Sequence, residues 1–309
     1  MLVNRLYYYM KPAIPRAIQI AIRKSVIDMQ LKGVMERWPI DRAAGMKPDG
    51  WPGWPEGKKF SVILTHDVES AAGRDNCIKL KDQEKNLGFR SSFNFVPELY
   101  SVSSEVFESL RESGFEIGVH GLNHDGKLYN SRQIFSARAA RINNYLKEWG
   151  AVGFRSPAMH HNLEWIHELN IEYDCSTFDT DPFEPQSDGV QTIFPFYIAN
   201  SDEHKGYFEL PYTIPQDFTV FVLMKEKNID IWKKKLDWIV ECGGMVLINT
   251  HPDYMNFGDK ELGLEEYPLE FYLEFLEYIK ASYGGEYCNM VPRDLVSYLS
   301  DQRDMLPPK

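Results

Sequence analysis

Four short stretches hold residues that can do chemistry together. "GVHGLNHDG" places His120 and His124 four positions apart. That spacing can aim two imidazoles at one point, on a helical turn or in a tight loop. Two or three nitrogen ligands with a carboxylate, and one position left for water, are what a catalytic zinc site needs. "LTHDVES" supplies Asp67 and Glu69 at the end of an apolar run. "VLINTHPDY" ends an apolar run in His251, which can hand a proton to a leaving group or serve only as a structural histidine. "GFRSPAM" carries Arg155, either a two-pronged partner for a carboxylate or a surface ion pair.

The elements that must position these residues can be read from the pattern around them. Strands are expected at Phe60–Leu64, Ser92–Val96, Glu116–Val119, Ala151–Phe154, Ile171–Cys175, Tyr207–Leu210, Met245–Asn249 and Tyr287–Val291. Helices are expected at Arg74–Leu87, Ser104–Ser113, Ser131–Trp149, Leu163–Leu169, Ile229–Glu241 and Leu269–Ser282. Alternating strands and helices imply a parallel sheet. Seven or eight such units predict an α/β fold, a distorted (β/α) barrel, with an open doubly wound sheet as the alternative. A barrel keeps its chemistry at the C-terminal ends of its strands. Asp67, Glu69, His120, His124, Arg155, Asp174, Asp179, Asp181 and His251 all follow or end expected strands, or lie close behind them. The Gly/Pro-rich "GMKPDGWPGWPEGK" reads as a connector, dividing a helical extension (1–57) from the barrel (58–309).

Composition narrows the partners. The chain has 309 residues, 43% of them hydrophobic, enough for a large core. A net charge of −11 disfavours nucleic acid. Cys77, Cys175, Cys242 and Cys288 form no C-x-x-C pair and read as free thiols of a reducing compartment. No apolar run approaches the ~20 residues of a membrane span, and charges at Arg5, Lys11, Arg16 and Arg23 leave no signal-peptide core. The expected location is therefore cytoplasmic. After Pro15, the apolar residues Ile18, Ile22, Val26 and Met29 share one helical face. Docking of this helix on the barrel is the favoured reading, and peripheral contact with a membrane surface the other.

Taken in order, these segments resemble a polysaccharide deacetylase of the NodB-homology type, carbohydrate esterase family four. The resemblance covers about residues 58–300. It implies a distorted (β/α) barrel, a divalent metal with zinc first, and removal of an acetyl group from an N-acetylated saccharide by attack of metal-bound water. The family's first motif has two adjacent aspartates. Here Val68 stands in the second position, so "DVE" resembles the acid-x-acid variant. Asp67 then matches the base and Glu69 a metal ligand, with the reverse assignment open. His120 and His124 match the other two ligands, with Gly121 where the family has Ser or Thr. Arg155, Ser156 and Pro157 match the third motif. Ala158 offers a backbone N–H to the oxyanion, while His160, His161 or Trp165 would have to replace the missing aromatic groove wall. Leu247 matches part of the acetyl pocket and His251 the acid, oriented by Asp179 or Asp181. His66, where an aromatic is usual, has no evident role. A related metal-dependent amidase or cyclic imidase, or a barrel that binds carbohydrate without catalysis, are the alternatives.

Overall fold

A computed structural model describes residues 14–34, 37–200, 206–258 and 260–303. Its helices are α1 (Arg16–Val34), α2 (Ala71–Leu87), α3 (Ser104–Glu112), α4 (Arg132–Glu148), α5 (Asp230–Cys242), α6 (Leu269–Tyr283) and α7 (Pro292–Asp301). Its strands are β1 (Phe60–Val68), β2 (Ser91–Phe95), β3 (Glu116–His120), β4 (Gly153–Arg155), β5 (Tyr173–Asp174), β6 (Phe196–Ile198), β7 (Tyr207–Glu209), β8 (Met245–Thr250), β9 (Met255–Asn256), β10 (Tyr267–Pro268) and β11 (Tyr287–Asn289).

The fold is a curled, mostly parallel sheet with helices outside, a distorted (β/α) barrel. Strands run side by side in the order β8-β1-β2-β3-β4-β5-β7, all parallel, with β6 added antiparallel at the β7 edge. Beyond β7 the chain stays extended. One parallel bridge joins Tyr212 to Phe178 and another joins Ile214 to Ile248 of β8. The barrel closes through this last bridge, a seam in which the Thr213 and Ile214 N–H groups both donate to the Leu247 carbonyl. All nine residues of β1 are buried, as expected of a strand covered on both faces.

Most expected elements are present. The Leu163–Leu169 helix is reduced to a 3-10 turn, Trp165–Glu168. The short β4 ends at Arg155, while β5 is reduced to Tyr173–Asp174. Three small strands (β6, β9, β10) and α7 were not expected. The connector packs onto the barrel: Trp54 is buried with its indole N–H donating to the Gly243 carbonyl at 2.8 Å.

The N-terminal helix turns the other way from the expectation. It docks through Gln19, Ile20 and Ile27, while Ile18, Ile22, Val26 and Met29 face outward, 50, 44, 44 and 71% exposed. Polar tethers set this orientation. Arg16 pairs with Glu265, the Arg23 guanidinium lies 4.8 Å from the centre of the Phe218 ring, and Gln30 donates to the Pro182 carbonyl at 3.3 Å.

Candidate active site

Side chains alternate across β1, so Thr65 and Asp67 point into the barrel and His66 points out. The outward histidine lies between Thr250 Oγ1 (2.7 Å) and Glu84 Oε1 (2.8 Å). Glu84 of α2 also accepts from Ser91 (2.6 Å) and from Tyr272. His66 is therefore part of a buried polar staple between sheet and helices, away from the barrel interior.

Inside, Asp67 is 2% exposed and held by three donors. Asn94 Nδ2 (3.0 Å) and an Arg155 nitrogen (3.1 Å) donate to Oδ1, and Asn249 Nδ2 (2.9 Å) donates to Oδ2. Burial by itself raises this carboxyl, but the Arg155 charge, then His120 and His251, outweigh it and hold Asp67 well below the usual carboxylate range. Arg155 is fully buried. It also donates to Thr65 Oγ1, Asn249 Oδ1 and the Cys175 carbonyl. It is no surface ion pair. Gly118 makes the Asn94 contact possible: a Cβ there would lie 2.1 Å from Asn94 Oδ1.

One step toward the open end, Glu69, His120 and His124 each place a donor atom within 4.8 Å of the others. His124 Nε2 lies 2.9 Å from Glu69 Oε1, and the two imidazole centroids are 5.1 Å apart. His120 Nδ1 faces the Arg155 carbonyl at 3.2 Å, and its buried Nε2 has no hydrogen-bond partner. An orphaned imidazole nitrogen beside a second imidazole and a carboxylate fits a divalent cation of the zinc type. Burial pushes His120 down to about 4, which keeps it neutral, the form that ligates metal. The loop that turns between the histidines is tight. Gly121 has φ +64 and sits where a Cβ would meet the Pro157 ring at 2.6 Å, so Ser or Thr does not fit there. His124 itself is left-handed, at φ 50, which costs a non-glycine residue roughly 1 kcal/mol or more. Around Glu69, Tyr254 donates to Oε2 at 2.5 Å and Asp253 accepts the Glu69 backbone N–H at 2.9 Å.

His251 closes the far side, its Nε2 3.9 Å from Glu69 Oε1. Its partner is neither Asp179 nor Asp181, and this corrects the expectation. His251 Nδ1 lies 2.7 Å from Asp217 Oδ1, and its backbone N–H donates to Oδ2 at 2.8 Å. Burial lowers the His251 pKa, but the Asp217 charge and hydrogen bond, with smaller help from Glu69 and Asp67, raise it to about 10. Asp179 instead pairs with the buried Lys235, and Asp181 accepts from Tyr212 at 3.0 Å. Both lie in loops that approach α5 and the seam, which the strand-end rule could not separate from the site. Asp174 is also elsewhere: it is fully buried, Ser176 donates to both of its oxygens, and burial raises both it and Glu209 above the usual carboxylate range.

The remaining expected residues divide. Ala158 sits in a turn at φ 55 beside Ser156 and Pro157, close to the histidine loop. His160 lines a small cavity with His124, Tyr129 and Ser156. His161 is drawn off toward Met159 and Gln186. Trp165, partly exposed, packs against Tyr129 and Phe135. Leu247 is fully buried, two residues below Asn249 on the inward face of β8. Asp217, Asn94, Asn249 and Tyr254 were not foreseen. Of these, only Asn94 and Asn249 carry a sequence signal, as single polar residues inside apolar strand runs.

The architecture has solved counterparts. It has the fold of the NodB-type polysaccharide deacetylases. A crystal structure from Mycobacterium smegmatis, assigned by its name to the polysaccharide deacetylases, superposes with a TM-score of 0.66 at 17% identity, over 85% of this chain and 97% of that one. Puue allantoinase gives 0.63 at 14%, over 85% and 98%. A probable polysaccharide deacetylase from Pseudomonas aeruginosa PAO1 gives 0.62 at 15%, over 85% and 98%. No protein-family model matches the sequence, and no curated protein matches it.

Proposed function

We propose that the protein is a metal-dependent hydrolase that removes an acetyl group from an N-acetylated saccharide. The observation that carries this is the convergence of Glu69, His120 and His124 on one point, with a caged carboxylate on one side and a histidine–aspartate pair on the other. A divalent cation, zinc by this donor set, supplies Lewis acidity and an activated water when bound. The protein's own groups divide the proton work. Asp67 Oδ1 already accepts two hydrogen bonds and Oδ2 only one, so the free lone pair on Oδ2 is where Asp67 takes the proton of the attacking water. Arg155 and the two asparagines fix that carboxylate's orientation and keep it ionised. On this reading the Ala158 N–H shares the oxyanion, a contribution of about 3 kcal/mol. His251, protonated at neutral pH and steered by Asp217, gives its Nε2 proton to the departing nitrogen.

A second reading, hydrolysis of a non-sugar linear or cyclic amide, is favoured by the likeness to an allantoinase fold. It uses the same groups. The test is direct. Protein purified without chelator should carry about one divalent ion per chain and release acetate from N-acetylated oligosaccharides. Metal without acetate release, but with opening of cyclic amides, selects the second reading. No metal and no turnover on either panel refutes both, and leaves a carbohydrate-binding barrel.

A further inference from the structure

The segment "HPDY" after β8 carries more than the proton donor His251. Asp253 and Tyr254 take no part in the proton transfers proposed above, yet both touch Glu69. Asp253 Oδ2 accepts the Glu69 backbone N–H at 2.9 Å, and its Oδ1 accepts the hydroxyl of Ser70, the N-cap of α2. The Tyr254 hydroxyl donates to Glu69 Oε2 at 2.5 Å. One short turn therefore grips both the backbone and the carboxylate of the same residue.

The grip is built with little slack. A Cβ on Gly73, in the first turn of α2, would lie 2.2 Å from Asp253 Oδ2, so only glycine leaves room for that carboxylate. The Tyr254 N–H donates to the His251 carbonyl at 3.0 Å, and the Tyr254 carbonyl accepts the Tyr267 N–H at 2.9 Å. The Tyr254 ring packs against Phe218 and His251, with ring centres 4.7 and 5.1 Å away. Backbone and ring are thus both held, and together they aim the hydroxyl.

The two oxygens of Glu69 consequently have different surroundings. Oε1 faces His124 Nε2 at 2.9 Å and His251 Nε2 at 3.9 Å. Oε2 faces a phenol, which keeps its proton at neutral pH and offers a hydrogen. Ligand atoms around a tetrahedral zinc stand roughly 3.3 Å apart, given its ~2.0–2.1 Å bonds. Oε1 and His124 Nε2 are already close to that spacing. A carboxylate that used both oxygens would add a further ligand and crowd the position that a hydrolytic centre keeps for water.

We propose that Tyr254 is a positioning residue: its hydroxyl holds Glu69 Oε2 and leaves Oε1 as the one oxygen offered to the cation, while Asp253 fixes the backbone beneath. This role presupposes the metal-dependent reading above. A purely structural Tyr254 needs only its ring, which phenylalanine also supplies, so the hydroxyl separates the two roles.

The experiment uses Tyr254→Phe in the full chain. Zinc affinity is measured by competition with a chromophoric chelator, and the visible spectrum is recorded with cobalt(II) in place of zinc. The variant should bind zinc about 10–100-fold more weakly than wild type. Its cobalt bands should lose intensity, as they do when a four-coordinate ion gains a fifth ligand, because Oε2 is free to join. In a Glu69→Ala background the same change should weaken zinc by less than about twofold, since the hydroxyl acts through that carboxylate. A Tyr254→Phe protein that matches wild type in both zinc affinity and cobalt spectrum, while wild type binds its ion, overturns the role of Tyr254 alone. So does an equal loss of affinity in the Glu69→Ala background, which places the effect of the hydroxyl elsewhere. Wild type that binds no zinc overturns this role and the metal-dependent reading together.

Discussion

Asp217→Asn is the sharpest probe of the site, because four donors converge on this one carboxylate. Oδ1 accepts from the Phe218 backbone N–H (2.8 Å) and faces His251 Nδ1, while Oδ2 accepts from the His251 backbone N–H (2.8 Å) and from Tyr267 (3.0 Å). An asparagine must replace one oxygen with an NH2. Placed at Oδ2, the NH2 meets the His251 backbone N–H, although Tyr267 can turn its hydrogen away. Placed at Oδ1, it meets the Phe218 N–H, although His251 can change tautomer. Either way one buried backbone donor is stranded, at about 1–3 kcal/mol, and a charge-assisted hydrogen bond is lost, bringing the sum to roughly 2–4 kcal/mol. Urea unfolding at neutral pH measures it. Turnover should fall by about 10²–10⁴ as His251 loses its partner. Tyr267→Phe removes one of the four donors, so the two variants together should cost less than their sum by about 0.5 kcal/mol or more. An Asp217→Asn protein within about 0.5 kcal/mol of wild type, or with full turnover, refutes this account of the pair.

Three other expectations follow from the same geometry. On the proposed reading, Asp67→Asn should keep the metal, since Glu69, His120 and His124 would hold it, while acetate release drops by about 10²–10⁴; full activity with metal bound would reassign the base. Lys235→Met strands the buried Asp179 carboxylate and should cost roughly 3–5 kcal/mol in denaturant unfolding, yet leave turnover per folded molecule unchanged; a selective loss of turnover would return Asp179 to the catalytic group. Glu116 is buried and raised from 4.5 to about 7, chiefly by burial, against the Arg293 N–H and the Tyr173 hydroxyl. Its folded form therefore binds more protons than its unfolded form between those values, so its effect is to lower stability as pH climbs through that window. Glu116→Gln should match wild type near pH 4 and gain up to about 3 kcal/mol by pH 8; a gain independent of pH would point to packing instead.

The sequence was most legible where one short stretch determines the outcome. Runs such as "FSVIL" and "MVLIN" can only be strands covered on both faces, and they set the barrel. The H-x-x-x-H loop and the D-x-E tip are local patterns, and their donor atoms meet in space. Partnerships made across the barrel were not legible. Asp217 and His251 are 34 residues apart and meet only because the chain after β7 runs beside β8. The three aspartates of "CSTFDTDP" and the strand before it were more conspicuous, but a conspicuous acid is as well satisfied by Lys235, Tyr212 or Ser176. α1 docks on the barrel as expected, but through a different face. Its apolar face was assumed to turn inward, whereas Arg16, Arg23 and Gln30 on the opposite side found better partners on the barrel.

The seam between Ile214 and Ile248 gives the His251–Asp217 pair a mechanical duty. Three residues beyond the bridge on each side, Asp217 and His251 add their side-chain and backbone hydrogen bonds to those that Thr213 and Ile214 make with β8. Loosening of the cylinder at this point would pull His251 away from Asp217. The contact that orients the His251 ring is thus also one that helps close the barrel.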